Sequence, residues 1–456
     1  MSAAALLIAA AFLALLGLLG SRLAAGLAAP GDGALYRGML YVLSGAVILH
    51  LLLTALDFAG VPWNPLRVGA LLLALCALGW RFLPRGPERT GPPADPGWGD
   101  ATALLVVAVF TLIALTGWIT LPDFIFHWGL KGSRFFLARG VDYPYLAHGW
   151  NWVLHPDYPN LLPELFAVTA LLTGRFDVPA LMLEAGALCA FLLVAAREGL
   201  RQGTGDRFTR QAGLALVALA TGAFGIGYRM AGGPDWMIAL ALAAAVPPLL
   251  RPPDRAGDFQ ICVLAAFAAG AKMEGVPLAA FLVLAQWARH VRRERGPAVG
   301  AALRSGLPAA AVVLPWLGRT LHHHLFLALN SGPFTPSRAP AILAATLEAL
   351  QTPEWHGFLW ALVLPPLLLL HRRVRPLAAV ATLELAFYFY VYFTSASAAQ
   401  TRVFLLSNFA RLGFQLVPAS LVMALLAWGP QRGVVTTTTL LYGEDCSPAT
   451  ARTRKE

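Results

Sequence analysis

Solid apolar runs of about twenty residues, each long enough to cross a bilayer as a helix, recur along the chain from residue 3 to residue 428. They do not alternate in polarity, as the strands of a membrane β-barrel would. The pattern predicts spans at 3–20, 38–56, 66–83, 101–121, 177–196, 211–228, 235–250, 259–272, 275–288, 305–321, 357–371, 376–394 and 409–428. The fold class is therefore an all-α polytopic membrane protein with roughly 11–13 transmembrane helices. No basic segment precedes residues 3–20, which read as a retained first helix rather than a cleaved leader. Residues 160–173 are apolar but short, begin near Pro159 and Pro163, and carry Glu164. They read as a helix lying at the membrane interface or entering it part way.

One long segment breaks the pattern. Residues 122–159 hold Asp123, His127, Lys131, Arg134, Asp142, His155 and Asp157, interleaved with Trp128, Tyr143, Tyr145, Trp150, Trp152 and Tyr158. Charge and aromatics concentrated in one loop suit the handling of a polar group beside the bilayer. The loop is expected to be the first large outer loop and to carry interfacial helices.

Composition agrees with the membrane reading. The chain has 456 residues, 58% of them hydrophobic and 13% charged, against about 25% charged in soluble domains; mean hydropathy is +0.64. The net charge of +10 is not a nucleic-acid signature, because the arginines fall in short clusters between apolar runs. These clusters are Arg81/Arg85/Arg89, Arg197/Arg201/Arg207/Arg210, Arg251/Arg255, Arg289/Arg292/Arg293/Arg295/Arg304 and Arg372/Arg373/Arg375. Placed in the cytoplasm, they put 122–159, the Asp235 turn, the Lys272/Glu274 turn, His322–His324 and the Arg402 loop together on the outer side. Cys76, Cys189, Cys262 and Cys446 have no paired spacing, so neither a disulfide framework nor a metal–thiolate site is expected.

The organisation that follows has three parts. Residues 1–99 are N-terminal helices with a Pro/Gly-rich cytoplasmic linker at 84–100, and residues 100–429 form the main membrane region. Residues 430–456 are a polar tail that reads as disordered. Residues 331–340 read as an outer loop, and no internal repeat is evident.

Several polar clusters could carry chemistry. Asp123, His127 and Lys131 are spaced by four, so a helix would stack them on one face. Ile125, Trp128, Phe135 and Phe136 would then turn toward lipid. Asp123 is the candidate general base and His127 or Lys131 an anion binder; the plainer reading is the solvated face of an amphipathic surface helix. His155-Pro156-Asp157-Tyr158-Pro159 is a turn stiffened by two prolines, suited to positioning a substrate or simply to starting the next helix. Asp235, after Gly232-Gly233-Pro234, reads first as a helix cap, with a substrate-facing role left open. Lys272 and Glu274 interrupt an apolar stretch, where ionisable groups usually line a cavity or pair. Being two apart, they are expected to have different partners. Arg402 and Arg411 flank the last span; each could grip phosphate or snorkel to the interface. Three adjacent histidines on a helix point in different directions, so His322–His324 is not expected to bind metal.

Taken in order, Asp123, His127-Trp128, Lys131, His155-Pro156-Asp157-Tyr158-Pro159 and Leu161-Leu162-Pro163 resemble the integral-membrane glycosyltransferases of the GT-C fold. The branch most like it is that of the dolichyl-phosphate-mannose protein mannosyltransferases and the rhizobial lipopolysaccharide galacturonosyltransferases. Lys272-Met273-Glu274-Gly275 is similar to a Lys-Asn-Glu-Gly element of bacterial members, with Met in place of Asn. The resemblance covers roughly residues 100–415 and rests on the order and spacing of these elements.

The resemblance implies a GT-C-like fold and a transferase. A sugar on a polyprenyl phosphate would pass, with inversion, to an acceptor hydroxyl on the outer face of a bacterial-type inner (plasma) membrane. Asp123 would be the catalytic base. His127, Lys131, His155, Asp157, Tyr158, Asp235, Lys272, Glu274, Arg402 and Arg411 would bind substrate, the cations facing the departing phosphate. Many relatives place two acidic residues at the start of this loop, whereas here Phe124 follows Asp123; no metal or other cofactor is therefore expected. The expected partners are the polyprenyl-phosphate sugar, a glycolipid or cell-envelope glycan acceptor and the lipid bilayer, with no nucleic acid.

Three other readings remain at this point. A flippase or transporter of a polyprenyl-linked glycan would show inverted repeats and polar groups at mid-membrane. An O-antigen polymerase or ligase would carry its large outer loop late in the chain. A scaffold would do no chemistry.

Overall fold

The computed structural model describes residues 3–23, 29, 31–82, 96–221, 226–294, 299–325, 332–353, 356–394 and 398–430. Most of the expected linker 84–100, part of the loop 331–340, Arg85, Arg89, Arg295, Cys446 and the tail after residue 430 lie outside them. The described residues form helices and no strand.

The helices in chain order begin with α1 (Ala3–Leu23), α2 (Ala34–Phe58), α3 (Pro65–Phe82) and α4 (Trp98–Gly117). The loop region holds α5 (Gly129–Ala138) and α6 (Tyr143–Leu146). Next come α7 (Leu161–Thr173), α8 (Val178–Gly203), α9 (Arg207–Thr221), α10 (Asp235–Ala244), α11 (Val246–Leu250), α12 (Arg255–Ala271), α13 (Gly275–Glu294) and α14 (Val299–His322). The last are α15 (Ala339–Gln351), α16 (Leu364–Leu368), α17 (Arg375–Phe393) and α18 (Ala398–Trp428). Among the described residues, seven helices are long and apolar enough to cross a membrane: α1 to α4, α8, α17 and α18. The chain is thus an all-α, multi-pass membrane protein. Helices α9 and α12 to α14 run through the same stack, while the predicted spans 235–250 and 357–371 are broken. Pro247 and Pro248 follow the break at Ala245 between α10 and α11, and a 3-10 segment at Phe358–Val363 leads into α16.

Local chemistry sets the helix starts. Asp177 accepts the Ala180 N–H ahead of α8, and Asp254 accepts the Gly257 N–H at 2.6 Å ahead of α12. Helices α1 and α2 cross where Gly20 and Gly45 leave no room for a side chain. A Cβ on Gly20 would stand 1.8 Å from Tyr41 O, and one on Gly45 2.0 Å from Leu16 O. Small residues at such crossings let backbones approach closely inside lipid, where packing rather than hydrophobicity drives association.

Helix α10 is the centre of the bundle. Trp236 to Ala244 are wholly buried, and the Trp236 ring sits 4.9 Å from both Phe110 of α4 and Phe414 of α18. Asp235, first residue of this helix, is therefore held at the bottom of a crowded well, also wholly buried.

Most of the paired charges sort to two ends, whereas Glu184 and Glu384 are buried within α8 and α17. At one end, here the basic end, Asp32 receives Arg251, Gln202 at 3.1 Å and Gln260 at 2.7 Å. Asp258 receives Gln286 and His290, both at 2.8 Å, and Arg304 at 2.9 Å. Asp100 pairs with Arg197, and Glu198 with Arg201. At the other end, the site end, lie residues 122–160, Asp235, Lys272, Glu274 and the close of α14. This is the two-sided distribution expected from the arginine clusters.

Residues 160–173 do not lie on the surface. Helix α7 is wrapped by α1, α2, α5, α8 and α12, and Leu161 to Glu164, Phe166, Ala167 and Val168 are buried. It carries apolar residues on every side, so the energetically favoured place for it is inside the protein. The linker reading also ends early, because α4 already begins at Trp98.

Candidate functional site

The chain leaves α4 through a 3-10 turn at Trp118–Thr120 and enters a single π-helical turn at Asp123–Trp128 before α5 begins. Such wide turns shift the face on which later residues point. Asp123, His127 and Lys131 consequently do not stand in one row. Asp123 turns toward α18, His127 Nδ1 donates to the carbonyl of Val153, and Lys131 points into the protein. The lipid-facing set is corrected in the same way. Trp128 and Phe135 are buried, while Phe126, Leu130 and Leu137 are the exposed apolar side chains.

Asp123 Oδ2 accepts from Arg411 Nη1 at 3.2 Å. The same guanidinium approaches Asp235, with Nε 3.9 Å from Oδ1. Asp235 Oδ1 also accepts from Lys272 Nζ at 3.1 Å and Gln415 Nε2 at 2.5 Å. Lys272 Nζ in turn lies 3.0 Å from Glu274 Oε1. Tyr388 O–H donates to Gln415 Oε1, fixing the amide so that its nitrogen faces Asp235. Three carboxylates and two cations thus form one connected cluster, drawn from the start of the loop, the start of α10, the α12–α13 turn and α18.

Two expectations change here. Asp235 does not cap its helix; Pro234 occupies the cap position and the carboxylate is taken up by Lys272 and Gln415. Lys272 and Glu274 share a contact although two residues apart, because Lys272 is extended and residues 272–274 form a turn rather than helix.

Gly232 and Gly233 set the spacing of the carboxylates. Gly232 has φ +76°, a conformation costly for any side chain, and a Cβ there would meet Phe124 at 3.0 Å. A Cβ on Gly233 would stand 3.5 Å from Asp123 Oδ2 and 3.6 Å from Asp235 Oδ2. Asp235 Oδ2 and Glu274 Oε2 are buried without a hydrogen-bond partner among the described residues. Asp123 and Arg411 keep 14% and 16% side-chain exposure, so the cluster opens at Asp123 and closes around Asp235. That geometry lets a carboxylate act on a group arriving from outside while cations wait behind it.

The turn 155–160 forms the next wall. His155 adopts φ +47° directly before Pro156, a left-handed conformation that is sterically costly. Surrounding contacts hold it there. Its ring stacks on Tyr158, with centroids 4.6 Å apart at 26°, and on Trp128 at 18°, and lies 5.1 Å from His127. Burial first, then the neighbouring His127, Arg411, Lys272 and Lys131, press the His155 imidazole down to about 2, so it is neutral. Burial and then Glu274 raise the Tyr158 phenol well above its usual value.

Lys131 is wholly buried and donates to the carbonyls of His155 at 3.0 Å and Tyr158 at 3.2 Å. Burial pushes its ammonium down to about 7, with Asp157 and Glu164 opposing. It braces the turn from behind. Asp157 is buried on the far side, where Trp316 Nε1 donates to its carbonyl at 3.0 Å. Arg402 stands apart, nine residues or about 13 Å along α18 from Arg411, clasping Glu348 on the surface at 2.7–3.1 Å. His323 stacks on Tyr143 with centroids 3.8 Å apart.

The structure therefore gathers Asp123, Asp235, Lys272, Glu274 and Arg411 directly, sets His127, Lys131, His155, Asp157 and Tyr158 around them, and leaves Arg402 outside. Gln415 and Tyr388 join the cluster without having been singled out in the sequence. Their one sequence signal is a neutral polar group inside an apolar helix. Cys76, Cys189 and Cys262 are buried and unpaired with one another. No family model, curated protein or solved structure matches this chain.

Proposed function

We propose that the protein is a membrane glycosyltransferase of GT-C type that takes its sugar from a polyprenyl phosphate and works on the outer face of a bacterial-type inner membrane. The observation that carries the reading is the junction of Asp123 with Arg411, backed by Lys272 and Asp235, at the mouth of the site end. An acceptor hydroxyl is a weak nucleophile, and a placed carboxylate can take its proton during attack. The acceptor oxygen bonds to the anomeric carbon on the face opposite the phosphate. The bond from that carbon to the phosphate oxygen breaks, and the phosphate leaves with the electron pair. Fixed cations favour the charge that develops there. Arg411 and Lys272 are two such groups, both held in place by carboxylates before substrate arrives. The acceptor in this reading is a glycolipid or cell-envelope glycan.

Exposed Ile119, Phe126, Trp150 and Trp152 near the same end suit the boundary between lipid and water, where a lipid-borne sugar presents its phosphate. A transporter reading would draw on polar groups between the two ends, where Glu184 of α8 and Glu384 of α17 are buried within apolar helices. Reconstitution in vesicles with a panel of polyprenyl-phosphate sugars tests the proposal. Release of polyprenyl phosphate that depends on Asp123 is expected. A folded protein that releases none from any donor would refute it and favour transport.

A further inference from the structure

Four membrane-length helices have an end in one patch of the basic end. Helix α4 starts there at Trp98, α8 finishes at Gly203, α17 starts at Arg375 and α18 finishes at Trp428. Apolar helices that stop at a common level put that level at the lipid head groups. Contacts join the segments. Thr204 O–H donates to the Pro430 carbonyl at 2.8 Å, and Arg207 Nη2 donates to the Pro96 carbonyl at 3.2 Å. The His371 ring meets Trp428 edge-on, with centroids 6.4 Å apart.

Positive charge is in excess in this patch. Arg207 and Arg210 come from the first turn of α9, and Arg372, Arg373 and Arg375 from the turn into α17. Other arginines of this end face carboxylates: Arg197 with Asp100, Arg201 with Glu198, Arg251 with Asp32 and Arg304 with Asp258. Those of the patch bond to main-chain carbonyls instead. Arg207 takes Pro96, Arg210 takes Thr204 and Gly205, Arg373 takes Gly203 and Leu426, and Arg375 takes Leu369. Arg372 is exposed. A carbonyl satisfies a donor but cancels no charge. Asp206 is held by the Thr209 N–H and O–H, each at 2.6 Å, and offsets one of these charges at most.

Two of these groups converge. Arg210 and Arg373 come from elements far apart in sequence, yet both bond to the three-residue stretch Gly203–Gly205. Their guanidinium groups are thereby anchored beside the same end of α8. Each keeps N–H donors that the carbonyls leave unused. Trp98, Phe208 and Trp428 expose their rings in the same patch, and such rings favour the boundary between lipid and water.

We infer that this patch binds the phosphate of an anionic phospholipid from the leaflet at the basic end. The inference does not rest on the transferase reading. Guanidinium groups match phosphate oxygens in pairs, and basic pockets between spanning helices suit anionic head groups. A free anion would need only the cations. The exposed rings and the shared level of the helix ends belong to a ligand that also carries acyl chains. A lipid seated here would bridge α8, α9, α17 and α18 at the end remote from Asp123.

The test is native mass spectrometry of the full-length, delipidated protein in detergent. It is titrated with phosphatidylglycerol and, separately, with phosphatidylcholine of the same chains. Phosphatidylglycerol should bind the more tightly. Arg210→Gln and Arg372→Gln should each weaken it about fivefold, the worth of one arginine beside an anionic head group. Arg210 also holds the end of α8, so Arg372→Gln, at an exposed position, carries the test if the other variant unfolds. Arg81→Gln removes the same charge from α3 and should leave binding unchanged. Equal binding of the two lipids would overturn the inference. Displacement of the lipid by millimolar inorganic phosphate would also overturn it, marking a site for free anions. Equal losses in Arg81→Gln and Arg372→Gln would do the same, marking net charge rather than a site.

Discussion

Asp123 and Arg411 stand 288 residues apart in the chain and meet at 3.2 Å. The contact joins the first turn after α4 to the middle of α18. Each is only partly exposed, so the pair forms the threshold between solvent and the buried Asp235–Lys272 ion pair. In the proposed reaction the carboxylate receives a proton while the guanidinium faces developing phosphate charge.

Asp123→Asn should keep the fold and remove turnover, by about 10²–10⁴-fold, the usual worth of a positioned general base. The amide can still face Arg411 but cannot take the proton. Release of polyprenyl phosphate together with thermal melting checks this. Full activity in a folded Asn variant would remove Asp123 from the chemistry.

Arg411→Lys should lower kcat by about 10²–10³-fold, the scale of losing one preorganised electrostatic contact. Lysine keeps the charge but lacks the planar fork that reaches Asp123 and Asp235 together. Steady-state kinetics on a common donor reads it; a changed KM with kcat intact would point to simple binding instead.

The paired glycines separate stability from function. Gly232→Ala forces a side chain into φ +76° against Phe124, and should cost about 1–3 kcal/mol, visible in the melting temperature. Gly233→Ala lacks the positive-φ penalty; its methyl would meet the Met230 carbonyl at 3.2 Å and stand between the Asp123 and Asp235 carboxylates. It should lose activity with little loss of stability. Equal behaviour of the two variants would contradict this assignment.

Lys131 gives a signed pH dependence. Its ammonium is lowered from 10.5 to about 7, so between those values the unfolded chain holds a proton that the folded chain has released. Stability therefore rises as pH increases from about 7 to about 10.5, and the unfavourable contribution is complete below about 7. Denaturation followed between about pH 6.5 and 10 should show this slope in the wild type and a flatter one in Lys131→Met. An identical slope in both would assign the effect elsewhere.

The apolar runs made the helical membrane architecture legible, and the arginine clusters made its two-ended polarity legible. Both are properties of composition along the chain. Asp123, Lys272 and Arg411 also stood out, because ionisable groups within or beside apolar helices are costly and need partners. Which partner each takes was not legible. The π-helical turn breaks the spacing-by-four argument for Asp123, His127 and Lys131. The extended backbone at Lys272 breaks the spacing-by-two argument for Glu274. Asp235 has the residue type and position of a cap, and only the approach of α18 and the α12–α13 turn shows that its oxygens are taken by side chains. Helix α7 misled for a related reason: its length suits an interface, but its all-round apolar surface suits a position that neighbours enclose. For Asp235 and α7 the deciding contacts come from distant segments, and for Asp123 and Lys272 the decision lies in the local backbone.

The lacing at the basic end has one more consequence. Asp32 ties α8, α11's end and α12 together, and Asp258 ties α12 to α13 and α14. A molecule that descended past Asp123 would reach a floor whose acids are already engaged, and would have to part several contacts at once to go further. In this arrangement side chains of α8, α12, α13 and α14 latch the basic end, so that shifting any one of these helices strains the contacts of the others.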